Sequence, residues 1–577
     1  MSTRTALAAS WVLLAACTGP DPDPARTTPG PTTVDPTVQP EPTVPPAEPP
    51  VSVENAGSAA PPTLSVTPPP GVVDTDVVVD VTVDDPSATI WFTLDDTPPV
   101  PGVSAIWSGP LTVNRSAVLR AFVETAYGTD ELSATWLRMD DTLAGFSSNL
   151  PLVALWSRQD APEYKTDVYT PFTVTTFEPT ASGRTSWPAD AMLSSRAGLK
   201  IRGSSSAGYP KHPYRLEAWG TLTDTDVDVP MFGMAEEADW ILGAPLDFDR
   251  ALIRDPLMFA LSNKIGRWAS HTQFIEMFLA DEGETIGLDD YVGVYVVTER
   301  IERDADRVDV EPLLPTDLVE PGITGGYVFK EDRTGPGEYG FRAGTGGGLF
   351  SFQQPFVYVE PSEAEIAAEQ AAYLARVLDD LGMALVSPGF VNPATGHHYA
   401  DLIDVDAWID HHILNVLSKN PDGFRLSGYF HKDREGLVVA GPIWDFDRTM
   451  GCSSDSRADD PEWWDASNIT SDCTYVFEEG FWRGLFADPV FRDLYFARWG
   501  VLLANELSVA SMHAEIDAMA LQVEEASVRN YAEWSSYPPR GGSHAAEILI
   551  LKDWLAARHA WISGCLALPD PMQCQGS

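Results

Sequence analysis

The chain has 577 residues, enough for about three or four domains at roughly 150 residues each. Apolar side chains make up 44% and aromatics 10%, with 18 Trp, which excludes a wholly disordered or collagen-like chain. Lys and Arg number 37 against 84 Asp and Glu, and the resulting charge of −47 argues against nucleic acid as a partner, because its phosphates would meet a strongly negative field.

Met1 to Cys17 has Arg4 followed by an apolar stretch, Ala6 to Ala16, that is too short for an ordinary membrane helix. This is the anatomy of a secretion signal. It ends in Leu14-Ala15-Ala16-Cys17, which resembles the lipobox of bacterial lipoproteins. The resemblance implies export, cleavage before Cys17, lipidation of Cys17 and a membrane contact through that anchor alone. Thr18 in place of Asp after the Cys points, within the same resemblance, to the outer membrane or cell surface. Residues 18–61 are rich in Pro, Thr, Asp and Glu and nearly free of large apolar residues. They cannot bury a core and are expected to form a disordered linker.

Between residues 62 and 138 short β-prone runs alternate with Pro, Gly and Asp turns: Val77 to Val83, Ala88 to Leu94, Leu111 to Val113 and Ala117 to Val123. Such spacing predicts an all-β sandwich. Ala88-Thr89-Ile90-Trp91-Phe92-Thr93-Leu94-Asp95-Asp96-Thr97-Pro98-Pro99, with Trp107, Pro110-Leu111 and Val118 to Phe122, resembles the chitobiase C-terminal-like module. That implies an immunoglobulin-like accessory module. Trp91 and Trp107 are either a platform for a glycan or core aromatics, which bury large areas.

Residues 150–566 are mixed, and 567–577 form a C-terminal tail. Leu199 to Arg202, Tyr214 to Glu217, Val292 to Thr298 and Tyr327 to Lys330 read as strands. Ala364 to Leu381, Val405 to Leu417, Phe481 to Leu503, Met512 to Glu533 and Ala545 to Leu566 read as helices. Strands first and helices last predict an α+β domain. With Cys17 lipidated, four Cys remain. They allow three pairings, of which the nearest in sequence, Cys452–Cys473 and Cys565–Cys574, are favoured.

Three polar clusters carry the candidate chemistry. Leu199-Lys200-Ile201-Arg202-Gly203-Ser204-Ser205-Ser206, followed by Lys211 and Arg215, is a Gly/Ser turn after a strand with cations near it, suited to phosphate. Lys419-Asn420-Pro421-Asp422-Gly423 follows a helix and offers Asp422 as an acceptor for a hydroxyl proton, or as a turn residue. Leu437 to Asp447 is an apolar strand running into Asp445 and Asp447. Two apart, these carboxylates share a face of an extended chain and repel unless a cation lies between them. Hard oxygen ligands favour Mg²⁺, Mn²⁺ or Ca²⁺. The alternative partner is an arginine such as Arg448 or Arg434.

Gly198 to Ser206 with Pro210-Lys211-His212-Pro213-Tyr214-Arg215-Leu216, Trp240 to Ala244 with Leu252-Ile253-Arg254-Asp255, Tyr291 to Ile301, Asn420-Pro421-Asp422, and Trp444-Asp445-Phe446-Asp447-Arg448-Thr449-Met450-Gly451 stand in this order. Together they resemble the CotH family, spore-coat protein H-like atypical protein kinases. The resemblance runs from about Leu150 to Leu566 and implies a kinase-like fold and transfer of the ATP γ-phosphate to Ser or Thr of a protein substrate. It implies Asp422 as the catalytic residue and Lys211 on the ATP phosphates, with Arg202 and Arg215 in reserve. Asp445 and Asp447 would hold Mg²⁺ or Mn²⁺. Glu299 falls on the Glu of a family motif near the nucleotide.

One position departs from the pattern. Kinases carry a metal-binding Asn about five residues after the catalytic Asp, and here that position is Ser427. The alternative reading is therefore a catalytically inactive kinase-like scaffold or adhesion protein on the cell surface.

Overall fold

The computed structural model describes residues 60–577 except 282, 336–338, 453–455, 468–472, 575 and 577, and the side chains of Ser467 and Cys473. The signal, Cys17, nearly all of the linker and the Cys452–Cys473 pairing lie outside the described residues.

Eight strands open the described chain: β1 (Leu64–Thr67), β2 (Gly71–Val73), β3 (Val77–Val83), β4 (Ile90–Thr93), β5 (Ala105–Ile106), β6 (Leu111–Val113), β7 (Ala117–Thr125) and β8 (Gly128–Arg138). They form two sheets, β1-β3-β6 and β2-β8-β7-β4-β5. Val79 and Val81 of β3 point inward from one sheet, and Leu119, Ala121, Val123 and Trp136 from the other, into one apolar cluster. The period-2 pattern of β-branched residues thus produces a two-sheet β module, as predicted. Trp107 is a half-buried core aromatic: its ring meets Phe92 edge-on at 5.0 Å and its Nε1–H donates to Asp80 Oδ1.

The next strands are β9 (Ser147–Ser148), β10 (Leu152–Trp156), β11 (Thr170–Phe177), β12 (Thr185–Ser186), β13 (Leu193–Ile201), β14 (Tyr214–Trp219), β15 (Asp239–Gly243), β16 (Thr272–Ala280) and β17 (Tyr291–Glu299). Apart from the short β9–β12 pair they close a barrel in the order β10-β11-β13-β14-β15-β17-β16. Closure comes from parallel pairing of β10 with β16; every other barrel pair is antiparallel. Alternate residues fill the interior, among them Leu155, Val174, Leu199, Leu216, Leu242, Met277 and Tyr295. The β module packs directly on the barrel: Val72, Val118 and Leu137 share a cluster with Leu152, Trp156 and Phe278. Arg196 of β13 pairs with Asp96 at 3.0 Å across the same junction.

Helix α1 (Arg254–Lys264) leaves the barrel between β15 and β16. After the barrel come β18 (Tyr327–Glu331), β19 (Phe356–Glu360), α2 (Ala368–Val386), α3 (Val405–Ser418), β20 (Gly428–Lys432) and β21 (Val438–Ala440). The four strands form an antiparallel sheet, β19-β18-β20-β21. Helices α4 (Trp482–Leu485), α5 (Pro489–Ala504), α6 (Val509–Glu533) and α7 (His544–Leu566) follow. The largest apolar cluster joins this sheet, these helices and one flank of the barrel.

Helix α3 begins where Asp404 caps the N–H of Ala407, and it is buried along nearly its whole length. The single helix expected over Phe481 to Leu503 is two. Asp488 caps the N–H of Val490 and Pro489 takes the first helical position, so a new helix must start there. Among the described residues no helix is long and apolar enough to cross a membrane. At the end of α7, Cys565 and Cys574 are joined in a disulfide.

Candidate active site

Strand directions assign the two ends of the barrel. β13 runs up to Arg202 and the Gly203–Pro213 loop, β15 runs up toward α1, and β17 starts at the same end. Asp255, in the first turn of α1, comes from this end, and its Oδ1 accepts the N–H of Phe446 at 2.6 Å. The Asp445–Asp447 segment is thereby clamped against the barrel's upper end.

Asp445 does not lie on an extended strand as the sequence pattern predicts. The chain turns after β21, and Asp445 takes φ 68°, a left-handed conformation costly for a residue with a Cβ. Its Oδ2 accepts the Ser427 hydroxyl at 3.1 Å, and Ser427 is itself at φ 52°. Burial and the neighbouring Asp422 push the Asp445 carboxyl up, while Arg202 and the Ser427 hydrogen bond oppose the shift. Burial, then Asp445 and Asp255, push Asp447 well above the usual carboxylate range. Asp255 is pushed up to about 7 by burial and by Asp445. Three carboxyls therefore press on one another with too little positive charge to satisfy them.

Asn420 ties this segment to Asp422. Its Nδ2 donates to the main-chain oxygen of Asp445 at 3.1 Å, and its Oδ1 accepts the N–H groups of Asp422 and Gly423 at 3.0 and 3.1 Å. Gly423 is required by close approach, since a Cβ there would sit 2.0 Å from Asn415 Oδ1. Asp422 is 6% exposed. Arg425 holds its Oδ1 at 2.9 Å, Arg448 its Oδ2 at 3.4 Å, and Arg457 stands 3.8 Å away. Arg448 thus pairs with Asp422 while its charge also acts on Asp447, and Arg434 pairs with Asp317.

Of the cations expected at phosphate, only Arg202 faces the carboxylates. Its charge acts on both Asp445 and Asp255, and its guanidinium lies 5.5 Å over the Trp444 ring. Its side chain makes no hydrogen bond among the described residues.

Three expected nucleotide residues are placed elsewhere. Lys211 is 1% exposed, and its Nζ donates to the main-chain oxygens of Pro245 and Val294 and to Asn530 Oδ1. An ammonium has three N–H donors; all are used in joining the barrel to α6, and none remains for a phosphate. Arg215 makes a bidentate pair with Asp239 at 3.0 and 2.9 Å, in a network with Arg300 and Glu302 on the outside of the barrel. Glu299 ends β17 at the opposite end of the barrel, where it accepts the main-chain N–H and ring Nδ1 of His271 at 2.8 and 2.9 Å.

Two participants escaped the sequence reading as site residues. Asp255 follows Arg254 in a matched segment, but nothing in its spacing brings it to Asp445. Asn420 was quoted only as part of a motif. Among the described residues no three His, Cys, Asp or Glu side chains surround one point as metal ligands. The donor set nevertheless fits Mg²⁺, which takes one or two carboxylates and completes its shell with water and substrate phosphate. Asp445 with Asp255 or Asp447 would supply those carboxylates, and their mutual repulsion is what a divalent cation would relieve. Two clefts, one lined by Asn149, Glu178 and Gln273 and one by Phe341, Phe350 and Phe352, do not include these residues.

A search of curated proteins found no match to the chain. The family model described as CotH kinase protein matches residues 199–562, from the end of β13 to the end of α7. That stretch is more than half of the chain and contains the whole Asp255–Asp422–Asp445 assembly. The chain belongs to the CotH kinase family.

Proposed function

We propose that the protein is a kinase that transfers the γ-phosphate of ATP to a Ser or Thr hydroxyl of a protein substrate. The observation that carries this reading is the Asn420 bridge, which holds the backbones of Asp422 and Asp445 in one rigid unit facing Arg202. Asp445, with Asp255 or Asp447, would hold Mg²⁺ or Mn²⁺, which would supply charge neutralisation for phosphoryl transfer. Arg202 binds phosphate oxygen from the barrel side. Asp422, fixed by Arg425 and Arg448, orients the acceptor hydroxyl and accepts its proton. Positioning and charge neutralisation supply most of the rate in such a transfer.

The same proposal includes export through the N-terminal signal, anchoring by a lipid on Cys17, and a role for the β module as an immunoglobulin-like accessory domain that contacts glycan. A second reading, a catalytically inactive surface scaffold, is favoured by two observations. Ser427 offers a hydroxyl where kinases use an amide, and Lys211 is sequestered from the cleft.

The test is incubation of the full-length chain with γ-labelled ATP, Mg²⁺ or Mn²⁺ and a generic acceptor protein, beside Asp422→Ala and Asp445→Ala. Label on protein that is lost in both variants supports the kinase. Label that persists in both overturns the site. Nucleotide binding without transfer selects the scaffold.

A further inference from the structure

The lower end of the barrel, away from Arg202, carries a cleft of about 270 Å³ lined by Asn149, Leu150, Pro151, Glu178, Pro179, Phe232, Gln273 and Gln522. Asn149 precedes β10, Glu178 follows β11 and Gln273 opens β16, so three strand ends converge there. Gln522 comes from α6, which runs along the barrel and meets Lys211 through Asn530 near the other end.

The polar inventory of this cleft is one-sided. The Asn149 amide NH₂ donates to the main-chain oxygen of Gln522 at 2.8 Å. The Gln273 amide NH₂ donates to the main-chain oxygen of Phe274 at 2.8 Å, and that of Gln522 to Ala518 at 3.4 Å. These bonds fix the amide orientations and leave the amide oxygens free. Asn149 Oδ1 is fully buried and accepts no hydrogen bond among the described residues. That atom is therefore out of a ligand's reach, and the acceptors presented to the cleft are Gln273 Oε1 and Gln522 Oε1. Glu178 pairs with no cation among the described residues, and the nearby Arg184 is committed to Glu525. The cleft thus combines free acceptors, one carboxylate and an aromatic ring.

We propose that this cleft binds a primary alkylammonium group, with Glu178 as counter-ion, Gln273 Oε1 and Gln522 Oε1 as acceptors, and Phe232 against the alkyl chain. An ammonium brings three donors and no acceptor, which matches the lining, and the apolar Phe232 suits the alkyl stem that carries the charge. The chain's charge of −47 draws cations toward it from a distance. The group comes from a free diamine or from the lysyl side chain of a protein. The site is separate from the proposed phosphoryl-transfer site and stands or falls independently of it.

The test is calorimetric titration of the full-length chain with 1,4-diaminobutane, with Nα-acetyl-lysine amide and with uncharged 1,4-butanediol. Wild type is compared with Glu178→Gln and Glu178→Lys, and thermal melting confirms that both variants are folded. Binding of an amine but not the diol, weakened about tenfold by Glu178→Gln and abolished by Glu178→Lys, supports the proposal. The tighter of the two amines identifies the source. No binding of either amine, equal binding of the diol, or unchanged affinity in both variants overturns it.

Discussion

Ser427 donates its hydroxyl to Asp445 at 3.1 Å, and both residues hold positive φ, 52° and 68°. The hydroxyl occupies one oxygen of the carboxylate that the proposed reaction needs for metal. Asn tolerates the left-handed region better than Ser, and its amide oxygen is a harder-working metal ligand. Ser427→Asn is therefore expected to fold normally and to bind Mn²⁺ several-fold more tightly, read by paramagnetic resonance of free Mn²⁺. Unchanged affinity would show that Ser427 does not limit the site.

Asp255 makes stability pH-dependent in a defined direction. Its carboxyl is pushed from 3.8 up to about 7 by burial and Asp445. Between those values the folded chain holds a proton that the unfolded chain has released, so stability falls as pH rises through this window. Asp255→Asn removes the repulsion and keeps an acceptor for the Phe446 N–H. It is expected to flatten the fall and to add about 1–2 kcal/mol above pH 7, measured by denaturant unfolding at several pH values without divalent metal. Added Mg²⁺ should flatten the wild-type curve; loss of that effect in the variant assigns Asp255 as the second ligand, and its persistence assigns Asp447.

Lys211 and Arg202 should part in their effects. Lys211→Ala leaves the oxygens of Pro245, Val294 and Asn530 without their donor, and is expected to cost about 3–5 kcal/mol of stability. Arg202→Ala breaks no hydrogen bond and is expected to leave the melting temperature near wild type while raising KM for ATP about tenfold or more. The reverse pattern would return Lys211 to the nucleotide.

The Cys565–Cys574 bridge closes a short loop, with a sequence separation of 9. Cys574→Ser is expected to cost about 2–3 kcal/mol by loop entropy, with the loss confined to the end of α7. Protease nicking after Leu566, compared with and without reductant, tests this.

Much of the fold was legible. Val77–Val83 is a strand with the predicted ends because β-branched residues dominate it, and the helix expected over Val405 to Leu417 runs Val405–Ser418, begun by the Asp404 cap and ended by Lys419 in the left-handed position. The break before Pro489 is carried by Asp488-Pro489, where Asp488 caps a new helix, although apolar residues continue on both sides. Closure of the barrel was not legible, since it depends on β10 meeting β16 across more than a hundred residues.

The sequence by itself determined the local chemistry: the β module's alternation, the helix caps, and Asp422 and Asp445 in loops beside apolar elements. Periodicity and capping act between near neighbours, so a string of residues carries them. Only the tertiary structure decided which charges meet. It sent Lys211, Arg215 and Glu299 to structural bonds and brought Asp255 to Asp445, because a charged side chain's role depends on the partner within about 4 Å and on burial, and both are set by how distant segments pack.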